Sequence, residues 1–253
     1  MKKLKTIFIA HRGESHDAPE NTLAAINLAW QRNADAVEID VFLSKDSKIV
    51  VIHDDNTFRL AGFNKKVAEQ TLAELKALDV GRHKGDQWAN ERIPALDEIF
   101  ATVPTGKILC IEIKSGPEIL PILETDIRQS GLQQQQIKLI GFDLELMTSA
   151  KQAFPFFEVC WIMKIKHFKR LLFWQKHLEN IIDATKEADL DGLCFSAGKF
   201  IDKNFMDKIN GAGLACYLWT VNYPEHARQF IEAGVDGIIS NRPQWLKSQL
   251  GMN

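Results

Sequence analysis

Residues 36–53 read Ala-Val-Glu-Ile-Asp-Val-Phe-Leu-Ser-Lys-Asp-Ser-Lys-Ile-Val-Val-Ile-His, two β-branched runs separated by five polar residues. A crossover between parallel strands needs a dozen or more residues, so five can close only an antiparallel hairpin. We therefore expect Ala36–Leu43 and Ile49–His53 to pair as antiparallel neighbours. The returning strand then leaves His53 beside Asp40.

Strand and helix patterns alternate along almost the whole chain, which is typical of parallel strands joined by helical crossovers. The predicted strands are Thr6–Ala10, Ala36–Phe42, Ile49–His53, Ile108–Lys114, Ile137–Phe142, Phe157–Met163, Gly192–Ser196, Ala215–Val221 and Gly237–Ser240. Without the returning strand of the hairpin, eight strands remain. A (β/α)8 TIM barrel typically takes about 250 residues, and this chain has 253. We therefore predict an α/β chain with one TIM-barrel domain over residues 1–253.

The residues that follow the hairpin are too many for an ordinary connection. Connections between a strand and its helix usually take about 2–6 residues, whereas residues 55–94 separate the second barrel strand from its helix. We therefore predict a small insertion over the barrel mouth. Elsewhere the predicted helices include Asn21–Arg32 and Phe168–Glu187, and Gly131 and Gly234 are expected to end two others.

Composition and charge exclude several classes of protein. Hydrophobic residues make up 45% of the chain and charged residues 25%, values typical of a globular domain and not of a disordered chain. Lysine and arginine number 31 against 33 aspartate and glutamate. The resulting net charge of -2 gives no electrostatic basis for binding nucleic acid or an anionic membrane surface.

Targeting signals and cysteines favour a cytoplasmic location. The basic start, Met1–Lys5, is followed by only four apolar residues, whereas a secretory signal core has about 7–15. No later stretch approaches the roughly 18 apolar residues of a membrane-spanning helix. The basic run Lys164–Arg170 is interpreted as a solvated face, with a membrane-surface role as a minor alternative. The cysteines lack paired metal spacing and are predicted to be buried thiols in a reducing compartment, at Cys110, Cys160, Cys194 and Cys216.

Three carboxylates fall at the ends of predicted barrel strands, where barrel enzymes place their sites. Glu38 and Asp40 are two residues apart, so both lie on one face of their strand. Glu112 has the corresponding place in the third barrel strand. Converging carboxylates are costly without compensation, and a hard divalent cation bound through oxygen is the natural compensation. We therefore predict one cation, Mg²⁺ or Ca²⁺, at this position.

The same rim carries two histidines and two basic side chains. His11 and Arg12 end the first strand, His53 ends the hairpin, and Lys114 shares a face with Glu112. Histidine can take and return a proton near neutral pH, and fixed positive charge suits a reacting phosphoryl group. Taken singly, each residue is more often structural. Their placement at consecutive strand ends favours phosphate ester chemistry.

At these residues the sequence resembles the glycerophosphodiester phosphodiesterase family in its cytoplasmic bacterial form. The matching motifs span nearly the whole chain in the family's order, at His11–Glu14, Pro19–Thr22, Glu38–Val41, Val51–Asp55, Leu72–Asp79, Ile93–Leu96, Ile111–Lys114, Leu218–Asn222 and Gly234–Ile238. The resemblance implies a TIM barrel with a small insertion after the second strand, in agreement with the strand count. It also implies metal-dependent hydrolysis of a glycerophosphodiester to sn-glycerol 3-phosphate and an alcohol.

The resemblance assigns roles to particular positions. It implies three sets of site residues, which are the metal ligands Glu38, Asp40 and Glu112, the catalytic pair His11 and His53, and the substrate-binding residues Arg12, Lys114, Glu20, Phe142 and Trp219. In the last set, Arg12 contacts the phosphate, Glu20 supports the metal or glycerol site, and Trp219 forms an apolar wall. Asn21, which follows Glu20, is interpreted as the cap of the first helix.

Two positions depart from the family's pattern. Gly141-Phe142 stands where many relatives have Ser-Phe, and Asn241 follows the last strand where relatives commonly have an aspartate. Neither position belongs to the predicted metal or histidine sets. We therefore expect both to affect substrate preference more than activity.

Two other functions remain open at this point. One is a related barrel phospholipase that acts on intact lipid through a lipid-contacting rim and releases a cyclic phosphate. The other is an inactive barrel used as a binding module, which the complete set of site residues disfavours. The sequence leaves open the order in which the histidines act, cyclic or direct attack, the cation, the headgroup alcohol and the oligomeric state.

Overall fold

The strands form a single sheet that closes on itself. The computed structural model describes residues 6–165 and 171–252. Its strands are β1 (Ile7–His11), β2 (Ala36–Leu43), β3 (Ile49–Val51), β4 (Ile108–Ile113), β5 (Ile137–Gly141), β6 (Glu158–Met163), β7 (Gly192–Ser196), β8 (Ala215–Trp219) and β9 (Gly237–Ser240). β1 pairs in parallel with both β2 and β9, so every strand except β3 belongs to a closed parallel ring of eight. The predicted TIM barrel is confirmed.

The β2–β3 hairpin also forms as predicted. β3 runs antiparallel to β2, with Val51 opposite Val41 and Ile49 opposite Leu43. Beyond the strand, the Ile52 amide donates a hydrogen bond to the Asp40 carbonyl, at 3.0 Å. The next residue in the chain therefore enters the barrel mouth from the side of Asp40.

Ten α-helices accompany the strands in the described part of the chain, and those between consecutive barrel strands form the crossovers. The ten helices are α1 (Leu23–Gln31), α2 (Phe58–Ala61), α3 (Leu72–Ala77), α4 (Leu96–Phe100), α5 (Leu120–Ser130), α6 (Leu144–Ala153), α7 (Leu171–Glu187), α8 (Lys203–Gly211), α9 (Pro224–Ala233) and α10 (Pro243–Gln249). Gly131 and Gly234 end α5 and α9 in the left-handed conformation, with φ of 71° and 98°. The start of the helix predicted at Phe168, and most of the basic run Lys164–Arg170, lie outside the described residues. In the described part of the chain, no helix combines the length and apolar character needed to cross a membrane.

The alternation of β2 separates the outer core from the barrel interior. Val37, Ile39 and Val41 are fully buried and pack in the core formed with the surrounding helices. Each such side chain contributes about 1.5–3 kcal/mol on burial. Glu38 and Asp40 lie on the opposite face, inside the barrel. All four cysteines are free and buried, as the sequence predicts.

The segment between β3 and α4 has a small core of its own. Five apolar side chains of this segment pack with Val50 and Ile52 of the hairpin, namely Leu60, Val67, Leu75, Val80 and Ile93. Gln70 is also buried, and its amide donates hydrogen bonds to the carbonyls of Lys65 and Lys66, both at 3.2 Å. These contacts fix α2 and α3 against the edge of the barrel.

Candidate active site

Three carboxylates meet inside the barrel mouth. Asp40 and Glu112 are paired in the register of β2 with β4, and Glu38 lies two residues before Asp40. Their side chains offer ligand oxygens that lie within 4.8 Å of one another. All three residues are buried, with 1% of Glu38, 0% of Asp40 and 8% of Glu112 exposed. The structure thus brings the predicted metal ligands together.

Basic side chains offset part of this negative charge. Lys114 Nζ lies 3.1 Å from Asp40 Oδ1 and 2.6 Å from Glu112 Oε1. Arg12 Nε lies 3.2 Å from Asp40 Oδ2 on the other side. Burial alone lowers the pKa of Lys114, but the charges of Asp40 and Glu112 raise it overall, so the ammonium stays charged.

The negative charge of Glu38 is offset less than that of Asp40 and Glu112. Its Oε1 atom is buried and has no hydrogen-bond partner among the described residues. Burial and the charges of Asp40 and Glu112 raise the pKa of Glu38 well above its ordinary value. Burial and Asp40 likewise raise the pKa of Glu112. An oxygen-only donor set with an unpaired buried oxygen and excess negative charge fits a divalent cation.

His11 is held in one orientation beside this cluster. Its Nδ1 lies 2.7 Å from Asn241 Oδ1, and its Nε2 lies 4.0 Å from Glu38 Oε2. Because a carbonyl oxygen only accepts, Nδ1 carries the proton and Nε2 presents a lone pair. Burial, followed by the positive charge of Arg12, lowers the pKa of His11 to about 4. The imidazole is therefore neutral at pH 7.

Asn241 is itself fixed by the neighbouring strand end. Its backbone amide donates to Asn222 Oδ1 at 2.9 Å, and the Ser240 hydroxyl donates to the same oxygen at 3.0 Å. β9 is the ring neighbour of β1, with Ser240 opposite Ala10, so the next residues of both strands face each other. The sequence patterns tie this position only to substrate preference. Strand order in the closed ring shows that it contacts His11.

Asn21 has a different role from the predicted helix cap, and that prediction is wrong. Thr22 caps α1, and its side chain accepts a hydrogen bond from the Ala25 amide. Asn21 adopts a left-handed conformation with φ of 58°, which asparagine tolerates better than most residues. Its buried amide donates to Asp40 Oδ2 at 2.8 Å and accepts from the Asp40 amide at 3.2 Å. Because Thr22 caps the helix, the side chain of Asn21 is available to orient the Asp40 carboxylate.

The turn after β1 directs Arg12 at three carboxylates. Arg12 and Gly13 have φ of 57° and 78°, and a Cβ on Gly13 would lie 2.5 Å from the carbonyl carbon of Ala25. Only glycine fits this close approach. The turn aims the Arg12 amide at Glu38 Oε2, 2.9 Å away, while its guanidinium reaches Asp40 and Glu20.

His53 belongs to a chain of ion pairs at the rim. Its Nδ1 lies 2.7 Å from Asp54 Oδ1, and Arg59 Nε lies 2.5 Å from the other oxygen of Asp54. Arg59 also holds Glu20 with two nitrogens, at 2.7 and 3.1 Å, and Arg12 Nη1 lies 3.0 Å from Glu20 Oε1. Glu20 is thus engaged by two guanidinium groups and is not one of the three clustered carboxylates.

A cavity of about 280 Å³ is lined by most of the predicted site residues. Its wall includes eight of the predicted site residues, namely His11, Arg12, Glu38, His53, Glu112, Lys114, Phe142 and Trp219. Phe142 and Trp219 meet edge to face, with ring centroids 5.8 Å apart. Lys164, which the sequence places in a solvated basic run, also lines the cavity. The volume suits a small polar substrate better than a drug-sized one.

Residues 11–245 match the Glycerophosphoryl diester phosphodiesterase family. The chain belongs to this family. It is 34% identical to a glycerophosphodiester phosphodiesterase of Caldanaerobacter subterraneus over 250 residues, which cover 96% of this chain and 97% of the relative. As a member of the glycerophosphodiester phosphodiesterase family, the chain is an enzyme, a phosphoric diester hydrolase that acts on glycerophosphodiesters.

Two other relatives of the family bear on the substrate. An Oleispira antarctica phosphodiesterase, solved in complex with its product sn-glycerol 3-phosphate, has a TM-score of 0.85 and 30% identity, and the match covers 98% of this chain and 97% of that one. A lysophospholipase D of Homo sapiens is 24% identical, over 96% of this chain and 85% of its own length.

Proposed function

We propose that this enzyme hydrolyses glycerophosphodiesters to sn-glycerol 3-phosphate and an alcohol, with one divalent cation, Mg²⁺ or Ca²⁺, held by Glu38, Asp40 and Glu112. The observation that carries the proposal is the buried cluster of three carboxylates, two of which, Glu38 and Glu112, line one cavity with both histidines. The similarity to the Oleispira antarctica enzyme supports the product. When bound, such a cation polarises the phosphoryl group and offsets its negative charge.

His11 is the general base in this proposal. Its neutral form and its Nδ1 contact with Asn241 leave the Nε2 lone pair free to accept a proton. The proton comes either from water or from the free glycerol hydroxyl of the substrate. The second route forms a cyclic phosphate that water then opens.

His53 is the general acid. In the doubly protonated ring, Nδ1–H donates to the Asp54 carboxylate and Nε2–H is available to the departing alkoxide. Burial acts to raise the pKa of Asp54, but hydrogen bonds from Arg59 and His53 lower it overall, so Asp54 stays ionised. The two histidines thus differ in partner, a neutral amide against a carboxylate, and we assign them opposite roles.

The remaining predicted residues bind and orient the substrate. Arg12 and Lys114 pair with Asp40 of the carboxylate cluster. When a bound cation offsets the negative charge of the cluster, the positive charge of these two side chains is available to bind the phosphate. Glu20 supports the site by orienting Arg12. Phe142 and Trp219 form an apolar wall for the glycerol backbone.

We also propose that residues 1–253 act as one domain, with the segment at about 55–94 as a rim insertion. The small core that the segment shares with Val50 and Ile52 supports this proposal. The cytoplasmic location stays a prediction.

A substrate panel tests the proposed reaction. Glycerophosphocholine, glycerophosphoethanolamine and glycerophosphoglycerol are assayed beside an intact phospholipid and a long-chain lysophospholipid, with Mg²⁺ or Ca²⁺. We expect the water-soluble diesters to release sn-glycerol 3-phosphate at the higher kcat/KM. Turnover of the lipids alone would contradict the proposal.

The phospholipase alternative, with a cyclic phosphate product, has one observation in its favour besides the human relative. An open groove of about 630 Å³ beside His53 is lined by Phe42 and by Phe58, which is 62% exposed. An acyl chain could contact these rings. The same panel decides, because this alternative predicts faster turnover of the lipid and a cyclic phosphate among its products.

Cation binding should appear in the thermal stability of the protein. Because the pKa values of Glu38 and Glu112 are raised, the cation-free protein loses stability from this cluster as pH rises above the ordinary glutamate value of 4.5. A cation at 100 times its Kd adds about 2.7 kcal/mol, which corresponds to about 5–10 °C in Tm for a chain of this size. We expect differential scanning calorimetry to show a larger increase at pH 8 than at pH 5. The same ionic strength of NaCl is the control, and an equal response to both salts would exclude the site.

The contact between His11 and Asn241 predicts that a substitution at Asn241 changes the pH dependence of kcat/KM. Above a pKa of about 4 His11 is neutral and can act as a base, and below it this capacity is lost. Asn241→Asp keeps the acceptor but adds a negative charge, which stabilises the imidazolium. We expect the acid limb of kcat/KM to move upward by about one pH unit or more. An unchanged limb in this variant would show that His11 does not act as the base.

A further inference from the structure

We infer that Arg59 is a positioning residue for the reaction, because it joins the general acid His53 to the phosphate-binding Arg12 through the carboxylates of Asp54 and Glu20. The inference rests on the roles proposed above for the two histidines. Arg59 lies in the rim insertion, outside every motif that the sequence singles out.

The contacts of Arg59 use the fixed geometry of its guanidinium group. Nε lies 2.5 Å from Asp54 Oδ2, while Nη2 and Nη1 lie 2.7 and 3.1 Å from the two oxygens of Glu20. A planar group with donors on two edges can hold two carboxylates at a set distance, which an ammonium group cannot do. One side chain thus sets the separation of Asp54 and Glu20.

Each of these carboxylates in turn holds a residue of the proposed reaction. The second oxygen of Asp54 lies 2.7 Å from His53 Nδ1. Glu20 Oε1 also lies 3.0 Å from Arg12 Nη1, and Arg12 continues to Asp40. A displacement of Arg59 therefore reaches both the acid and the phosphate-binding side chain.

The electrostatics of these linked ion pairs support the same inference. Burial acts to raise the pKa of Glu20, but Arg59 and Arg12 lower it to about 2. Glu20 is therefore ionised at any pH at which the enzyme is assayed. Without Arg59, it would keep one cationic partner and Asp54 would keep only His53.

The backbone around Arg59 is fixed, although the side chain itself is half exposed. Leu60, the next residue of α2, is buried in the small core of the insertion. Thr57, just before the helix, is fully buried, and its hydroxyl donates to the Phe63 carbonyl at 2.7 Å. Gly62 ends the helix in the left-handed conformation, with φ of 69°. α2 therefore presents Arg59 to the site from a rigid support.

A purely structural role predicts a different result from a positioning role. Half-exposed ion pairs contribute little to stability, so Arg59→Ala should leave Tm nearly unchanged. A general acid matters when the departing alcohol is a poor leaving group, and matters little when p-nitrophenolate departs. If His53 is no longer positioned, the loss of activity therefore depends on the leaving group. General damage to the site lowers the activity on both substrates alike.

The test compares Arg59→Ala with the wild type on glycerophosphoethanolamine and on the p-nitrophenyl ester of glycerol 3-phosphate. We expect kcat for the alkyl diester to fall by about 10–100-fold, as for other outer partners of site residues, and kcat for the aryl ester to fall much less. KM should rise similarly for the two substrates, because both have the phosphate group that Arg12 is proposed to bind. Equal losses of kcat on the two substrates, or no loss on either, would overturn the inference.

Three further variants separate the possible explanations. Arg59→Lys keeps the charge without the fork, and we expect it to recover part of the alkyl activity; it also replaces Arg59→Ala if that variant does not fold. Arg82→Ala removes an exposed arginine of the same insertion that pairs with Asp79, and both activities should be unchanged. If His53→Ala lacks the leaving-group dependence, the acid role of His53 fails. If His53→Ala shows it and Arg59→Ala does not, only the inference about Arg59 fails.

Discussion

Replacing His11 with alanine is expected to lower kcat/KM for a glycerophosphodiester by about 10²–10⁴-fold, the usual contribution of a positioned acid or base. The effect should be this large because the neutral Nε2 of His11 lies at the edge of the carboxylate cluster. His53→Ala should cost a similar factor on substrates with an alkyl leaving group. Steady-state kinetics with saturating cation, at pH 7, provide the measurement.

An exposed histidine gives the matched control for this experiment. His83 lies in the insertion, outside the cavity, and His83→Ala should retain full activity. Circular dichroism and Tm establish that the two site variants are folded. Near-normal turnover by both His11→Ala and His53→Ala would contradict acid–base catalysis at this site.

Glu38→Gln is expected to abolish most of the activity without harming the fold. The amide keeps the shape of the side chain but removes one of the negative charges that favour a cation. Lewis-acid stabilisation is worth several kcal/mol, so we expect turnover to fall by about 10²-fold or more. The increase in Tm on addition of Mg²⁺ or Ca²⁺ should also be lost.

The same substitution makes a prediction of opposite sign for stability. The pKa of Glu38 is raised by burial, so at pH 7 the ionised form costs folding free energy in the cation-free protein. Glu38→Gln removes that cost, and Tm measured with a chelator should be no lower than in the wild type. Glu124→Gln, on the exposed face of α5, is the control for activity and for cation response. A Glu38→Gln enzyme with normal turnover and a normal cation response would show that this carboxylate is not a ligand.

Much of the fold follows from local rules of chain geometry. Five residues between two β-branched runs cannot form a crossover, so the hairpin of β2 and β3 was predictable. The strand period of two places Glu38 and Asp40 on one face, and the parallel ring then brings Glu112 beside them. These predictions need only spacing and strand order.

The contacts around the site depend on packing between distant segments and were less predictable. Asn21 and Thr22 are both suitable helix caps, and only the closed barrel shows that one caps the helix while the other holds Asp40. Asn241 meets His11 because β9 closes the ring against β1. Arg59 reaches the site through the path of the insertion, which carries no periodic signal.

The central claim is cation-dependent hydrolysis at the carboxylate cluster, and ³¹P NMR of one reaction tests it most directly. Wild-type enzyme is mixed with glycerophosphoethanolamine in a chelator, and Mg²⁺ or Ca²⁺ is then added in excess. The account predicts no change before the addition, and afterwards the loss of the diester resonance with growth of sn-glycerol 3-phosphate. Equal turnover in the chelator, or no phosphomonoester after either cation is added, would contradict it.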